Sequence, residues 1–484
     1  MIRNLKNMIR STKLKDIRQI MKGTSRWIAP LLAICCMGVQ AQETKEMAYP
    51  QAEWSKAGDI LMHTPGNELF CGVIHPAAGL FDEYFDVDLA AEEHRGYMKM
   101  LENNGIRVHT VTGILKEVGI DSLRTLADKL LVYDASSIPD ETAAQTEDYR
   151  QHVLQSMSRG DLIRCILLQP TVKLSKTDNN THYEAEYLQY PLMNLYFTRD
   201  QSITTPRGHI ICNMNSKQRS PETEIINLCY EHLGLKPIMR ITGEGRLEGG
   251  DYIPAGNISF IGCGMRTNDE GIRQMLEADA LGHDTVVVVR DHKRWQMQMH
   301  LDTYFNIIDK DLCTMVRSRL TAQPGEPEFN TCDIWARQPG TKDYSLWKQE
   351  IPFVEFLQGR GIQIIPIDFA DEMHYANNFL TIAPRHIMAV GGQSEELQQR
   401  FREAGVCVEW IPLENLIKGF GAAHCMTQVL QREAYQPDGP STAVGSTQGR
   451  KAGSGTAYRL NATVANEHER GVIIQNSRKR IYMR

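Results

Sequence analysis

The sequence predicts an α/β fold, and three observations carry that reading. Beyond residue 184, short runs rich in β-branched residues alternate with stretches whose apolar residues recur at helical spacing. One such run, Thr285-Val-Val-Val-Val-Arg290, is apolar at successive positions, as a strand covered on both faces must be. The composition, 42% hydrophobic and 23% charged over 484 residues, suits a soluble chain long enough for a large core.

The elements follow in order. In residues 1–41, Arg3, Lys6, Arg10, Lys13, Lys15, Arg18, Lys22 and Arg26 are opposed only by Asp16. An apolar stretch from Trp27 to Val39 and then Val39-Gln40-Ala41 complete the pattern of a signal peptide. The stretch is short for a bilayer span. The expectation is export, periplasmic or secreted; the alternative is a cytoplasmic protein whose start is mis-assigned, with Met21 offering a second start. A lipoprotein signal at Leu32-Ala33-Ile34-Cys35 ranks lower, because Ile34 is bulky where a small residue is expected. Removing residues 1–41 takes away eight basic residues and one acid, moving the formal net charge from −6 to −13. An acidic body without a basic stripe excludes nucleic acid as a partner and does not favour stable membrane association.

The body begins near Glu53. Asp59 to His63 reads as a strand, Thr64-Pro-Gly-Asn as a turn, Leu89 to Asn103 as a helix and Ile106 to Val111 as a strand. These belong to the first part of the α/β body, 42–112. From 113 to 183 the pattern turns helical, over Ile120–Val132, Glu141–Met157 and Asp161–Leu168. Alternation resumes over 184–433. Strands are expected at Ile210–Asn213, Ile258–Gly262, Thr285–Arg290, Gln363–Ile367, His386–Val390 and Val406–Trp410, and helices at Glu222–Leu233 and Gly271–Ala278. Residues 434–484, rich in Gly, Ser, Thr and Pro as far as Ala457, read as a disordered tail. Eleven cysteines include nine outside the leader, with no CxxC and no zinc-like spacing. An odd number in an exported chain raises the question of a reactive thiol.

Four segments and an arginine pair place polar groups where neither a core nor a turn requires them. These are Asn194-Leu-Tyr-Phe-Thr-Arg-Asp200, Glu248-Gly-Gly-Asp251, His300-Leu-Asp302-Thr303, Gly421-Ala-Ala-His424-Cys425-Met-Thr427, and Arg219 with Arg266. Singly, each has a plain reading: a turn, a buried thiol, a core histidine, a solvated charge. If His300 and Asp302 lie on a strand, they face one side. Together the set describes a chemistry. A guanidinium is planar and always charged, and paired carboxylates such as Asp200, Glu248 and Asp302 hold it well. Attack on its central carbon calls for a thiolate, and an imidazole can protonate the leaving ammonia and then activate water. No metal and no cofactor are implied.

In order and spacing these motifs resemble the arginine deiminase family of the guanidine-modifying superfamily. His63-Thr-Pro-Gly, Leu80-Phe-Asp-Glu83 and the helix containing Glu93-His94 extend the resemblance, which covers roughly Glu53 to Arg432. It implies five ββαβ units about a pseudo-fivefold axis, with an inserted helical bundle that matches 113–183. It implies that Cys425 is the nucleophile forming a thiouronium intermediate, His300 the general acid and base, and Glu248 its partner. Asp200 and Asp302 would clamp the guanidinium. Arg219 and Arg266 would bind the substrate carboxylate with Asn194 nearby, and Phe197, Leu80 and Gly419 would line the channel. Asp251 matches a motif position of unassigned role. The resemblance departs at Phe420, where the family usually has an arginine, and in the loop before Asn377-Asn378. The implied partner is L-arginine; peptidyl-arginine or agmatine is the alternative substrate, and a non-catalytic arginine-binding protein the alternative of another class. The oligomeric state, including a homo-oligomer, stays open.

Overall fold

The computed structural model describes residues 47–49, 52–179 and 181–434, and beyond them the strands Tyr458–Arg459, Gly471–Gln475 and Arg478–Tyr482. The residues divide into two units, one ending at Tyr435 and one comprising Gln436–Arg484.

The first unit contains one motif five times: an antiparallel pair of strands, then helical chain, then a strand parallel to the second of the pair. Gln428–Glu433 pairs with Ala57–Met62, and helix Val87–Asn103 leads to Arg107–Thr110. Ser202–Thr205 pairs with Gly208–Ile211, and helix Glu222–His232 leads to Met239–Arg240. Tyr252–Ala255, Ile258–Cys263, helix Asp269–Glu277 and Thr285–Arg290 form the third. Phe305–Asp309, Leu312–Val316 and Gln363–Ile367 form the fourth, with helix Phe353–Gly359 before its last strand. Leu380–Ala383, His386–Val390, helix Glu395–Glu403 and Cys407–Ile411 form the fifth. A parallel partner cannot be reached by a tight turn, so each unit needs its crossover.

Hydrogen bonds join the units into a ring. Thr204 Oγ1 donates to Val429 O (2.9 Å), Gly249 N to Asp200 O (3.1 Å) and Leu301 N to Asp251 Oδ1 (2.9 Å). Thr381 Oγ1 donates to Ile307 O (2.7 Å), and Arg432 Nη1 to Thr381 O (2.8 Å). The C-terminal strand of the body thus completes the first unit, and the ring is closed by the pairing of chain ends.

Local chemistry explains the elements that matter for the site. Thr285–Arg290 is apolar throughout because it is paired on both edges, parallel to Ile258–Cys263 and antiparallel to Thr331–Arg337, and Val286 to Val289 are buried. Asp86 caps Val87–Asn103 by accepting from Asp88 and Leu89 N–H (2.9 and 3.0 Å). That helix buries Ala90, His94, Tyr97 and Leu101, spaced by three or four residues, and exposes the opposite face. Between the third and fourth units, Phe260, Phe305 and Phe353 meet edge to face, with centroids 5.0–5.9 Å apart. Burial of each ring contributes about 2 kcal/mol.

Two expectations are corrected. The insertion is not purely helical: beside Ile120–Leu130, Asp140–Ser156 and Arg159–Leu168 it holds a sheet of Val132–Ser137, Pro170–Lys176 and Tyr183–Gln189. The Tyr183–Gln189 strand is largely exposed, so no buried alternation marked it in the sequence. The expected tail contains regular structure, because Gly471–Gln475 pairs antiparallel with both Tyr458–Arg459 and Arg478–Tyr482. The run Val472-Ile-Ile474 has the β-branched character that the glycine-rich stretch before it lacks. The expected signal peptide lies outside the described residues, among which no helix is long and apolar enough to cross a membrane.

Candidate active site

Each of the five units contributes one polar residue from the same place, just before its first strand. Asp200 precedes Ser202–Thr205, Glu248 precedes Tyr252–Ala255, Asp302 precedes Phe305–Asp309, Asn378 precedes Leu380–Ala383, and Cys425 precedes Gln428–Glu433. All five are buried. Cys425 Sγ lies 3.5 Å from Asp302 Oδ2. His300 Nε2 lies 2.9 Å from Glu248 Oε2, and its Nδ1 faces Asp200 Oδ1 at 3.7 Å. Gly250 is small because any β-carbon there would sit 2.7 Å from His300 Nδ1.

The turn that bears His300 differs from the expected strand. His300 is extended and caps the short helix Leu301–Tyr304, so Asp302 lies on a helical turn and the pair is not set by strand alternation. Asp251 holds that turn by accepting from Leu301 N–H, which gives the motif position a positioning role; burial pushes its carboxyl up to about 7. Burial alone would lower the His300 imidazole, but the carboxylates of Asp200, Glu248 and Asp251 outweigh it and lift it to about 9. Burial would raise Glu248, but His300, Arg266 and Arg219 outweigh it and hold the carboxyl at about 2. His300 is therefore an imidazolium at neutral pH. Burial, then the charges of Asp302 and Asp200, push the Cys425 thiol well above its ordinary range.

Asn378 and His424 stand in segments that the sequence brought forward, but neither was given a role there. Asn378 Oδ1 accepts from both Ala422 N–H (2.9 Å) and Cys425 N–H (3.1 Å), and its Nδ2 donates to Asp302 O (3.3 Å). One amide thus fixes the nucleophile's backbone and the neighbouring clamp. His424 Nδ1 meets Asp302 Oδ2 at 2.6 Å, and its Nε2 faces Glu53, which is paired with Arg432. Two adjacent asparagines read as a turn, and His424 as part of a glycine-rich loop; only convergence in space reveals either.

A small cavity of about 20 Å³ is lined by Leu80, Asn194, Phe197, Asp200, Arg219, Arg266, His300, Gly419, Phe420 and Cys425, together with Gln296 and Met299. The sequence-derived set therefore converges, with Glu248 and Asp302 just behind it. Four polar atoms of this set have no hydrogen-bond partner: Asp200 Oδ1, which faces the His300 ring at 3.7 Å, Asp302 Oδ1, Arg266 Nε and, under the His300 turn, Asp251 Oδ2. Arg219 lines the cavity and is also fully paired within the protein. Its Nη1 bonds Asp200 (2.7 Å), its Nε and Nη2 bond Glu222, and Nη2 also bonds Asn194 O and Phe197 O. All three nitrogens are engaged because a buried guanidinium must be paired. Asn194 Nδ2 in turn donates to Gly79 O (3.3 Å), which holds the turn that presents Leu80.

Asp200, Glu248 and His300 lie close enough to surround a cation. Both ring nitrogens of His300 face carboxylates, as an imidazolium requires, and Arg219 and Arg266 raise the local positive potential. The set suits a proton better than a divalent ion.

The model of the arginine deiminase family matches residues 78–432, well over half of the chain. The chain belongs to the arginine deiminase family. It is similar to the arginine deiminase of Halobacterium salinarum, 26% identical with 79% of this chain and 96% of that one covered. A second relative is the arginine deiminase of Lactococcus lactis subsp. lactis, 27% identical with 79% and 98% covered. Among solved structures, a dimethylarginine dimethylaminohydrolase adduct aligns over 77% of this chain and 99% of that one, at 18% identity and a TM-score of 0.45. Family membership makes the chain a hydrolase acting on a guanidinium carbon–nitrogen bond.

In this arginine deiminase family member the loop before the nucleophile is tightly built. Glu93 accepts from the N–H groups of Glu414, Asn415 and Leu416 (3.0–3.1 Å). A β-carbon at Gly419 would overlap the Tyr196 hydroxyl, and one at Gly421 would meet the Phe197 ring at 2.7 Å. Phe420 is left-handed (φ 62°) and lines the cavity.

Proposed function

We propose that the protein hydrolyses L-arginine to L-citrulline and ammonia. The observation that carries this reading is a set of three polar atoms about one buried cysteine that make no hydrogen bond: carboxylate oxygens of Asp200 and Asp302 for a guanidinium, and Arg266 Nε for a carboxylate. Leaving such groups unpaired costs about 1–3 kcal/mol each, and more for charged ones, so the site is preorganised for a ligand that bears both functions.

The chemistry follows from the geometry. In the free site the thiol is protonated, because two carboxylates oppose the thiolate. A bound guanidinium offsets those carboxylates and stabilises the thiolate, and the thiol proton passes to solvent as the cation enters. The sulphur attacks the guanidinium carbon. The His300 imidazolium gives a proton to one terminal nitrogen, the carbon–nitrogen bond breaks, and ammonia leaves a thiouronium on Cys425. Neutral His300, steadied by Glu248, then takes a proton from water as its oxygen adds to the same carbon. Collapse of that adduct breaks the carbon–sulphur bond, the hydroxyl proton passes to the departing sulphur and restores the thiol, and the urea oxygen of citrulline remains.

Agmatine is disfavoured because it offers nothing to Arg266. The test is citrulline and ammonia release by the purified protein offered L-arginine and agmatine side by side; turnover of agmatine at the rate of arginine would remove the argument from Arg266. Arginine binding without ammonia release would favour a non-catalytic binding protein. Export rests on residues 1–41 alone; cell fractionation checks it, and a wholly cytoplasmic product would contradict it.

A further inference from the structure

A second cavity, about 580 Å³, lies behind the loop that closes the first. The two share their walls. Leu80 with Gly419 and Phe420 lines the inner cavity, while Asp82 and Glu83 with Ile417 and Lys418 line the outer one. Gln296 faces the inner space and Met297 the outer. Where the two segments meet they are pinned: Asp82 N–H donates to Lys418 O (2.7 Å), and Lys418 Nζ pairs with Glu83 (2.9 Å). A void of about 20 Å³ holds little more than one water. An arginine therefore needs the lining to move, and parting this seam both enlarges the inner space and joins the two cavities.

The outer cavity is larger than a passage needs and falls in the size range of ligand sites. Met297, Tyr375, Leu413 and Ile417 supply apolar wall; Asp82 and Glu414 supply charge, and among the described residues no cation pairs with either. With a substrate carboxylate on Arg266 and its guanidinium at Cys425, the α-nitrogen has the Leu80–Gly419 seam as a way out toward that space. The geometry points to a subsite for the residue preceding a C-terminal arginine, so that short peptides ending in arginine are substrates. This rests on the deiminase reading. The preceding side chain lies on the apolar wall, and the peptide's ammonium faces Asp82 and Glu414. The reaction is unchanged: the guanidinium of the terminal arginine takes oxygen from water and releases ammonia, and the peptide bond stays intact.

The experiment compares L-arginine, leucyl-arginine and arginyl-leucine with the full protein, reading ammonia release and ureido product. The expected result is turnover of leucyl-arginine with a kcat/KM at least that of arginine, and none of arginyl-leucine, whose arginine carboxylate is blocked. Asp82→Asn with Glu414→Gln should lower the ratio of kcat/KM for leucyl-arginine over arginine by about fivefold, the scale of solvent-exposed charge pairs. Met373→Trp, which narrows the outer cavity from its exposed rim, should lower the same ratio. Turnover of arginine without leucyl-arginine overturns the subsite and spares the deiminase reading. Turnover of neither overturns both.

Discussion

Asn378 is the most exacting test of how this site is held. Asn378→Ala removes the acceptor of two buried N–H groups, those of Ala422 and Cys425. Each orphaned group costs about 1–3 kcal/mol, so the variant should lose about 3 kcal/mol of stability. At the usual entropy per residue this lowers Tm by about 4 °C for a body of this size. Asn378→Asp restores both acceptors but loses the donor to Asp302 O, so only part of that stability returns. It also adds a negative charge beside a sulphur already opposed by Asp302 and Asp200. A few ångströms away at an effective dielectric near 20, that charge is worth about 3 kcal/mol. Its kcat/KM should fall about a hundredfold. Calorimetry and steady-state ammonia release on the two variants separate the effects. An alanine variant as stable as the parent, or an aspartate variant as active, would refute the reasoning.

Other outcomes follow from the same geometry. Arg266→Ala should raise KM for arginine with little loss of stability, whereas Arg219→Ala should destabilise the fold by leaving Asp200 and Glu222 without their buried cation; thermal melts and kinetics of the pair decide between these roles. The reaction needs imidazolium at His300, so kcat/KM should fall as pH rises through about 9. Because this histidine is raised on folding, its stabilising contribution is full below the unfolded value near 6.5 and is lost as pH rises through about 9; Tm against pH reads it, and a flat profile over that window would contradict the imidazolium. In the free enzyme Cys425 should be alkylated by iodoacetamide only slowly at neutral pH, since its thiol is held protonated; rapid alkylation at pH 7 would mean that the carboxylates do not oppose ionisation.

The sequence made the individual strands legible where burial imposed a pattern. Thr285–Arg290, Gln363–Ile367 and His386–Val390 have the bounds that their composition indicated. The fivefold repeat was not legible from residues alone, because equivalent places hold three carboxylates, Asp200, Glu248 and Asp302, an amide, Asn378, and a thiol, Cys425, at unequal spacings along the chain. Only the resemblance implied it. Spacing would put His300 and Asp302 on one face of a strand, but Asp302 lies on a helical turn held by Asp251 from an adjacent unit, a contact with no trace in local sequence. The resemblance gave Arg219 a ligand-binding role; its ion pairs with Asp200 and Glu222 could be known only in three dimensions. The exposed strand Tyr183–Gln189 escaped notice because nothing buries either face.

The central claim is that Cys425 carries covalent hydrolysis of arginine in this cavity. Its most direct test is citrulline formation by the purified protein and by Cys425→Ala, with a denaturing quench and mass spectrometry of the parent during turnover. The account predicts citrulline from the parent, none from the variant, and an arginine-derived adduct, short of ammonia, on the peptide that contains Cys425. Sustained citrulline formation by Cys425→Ala would contradict it.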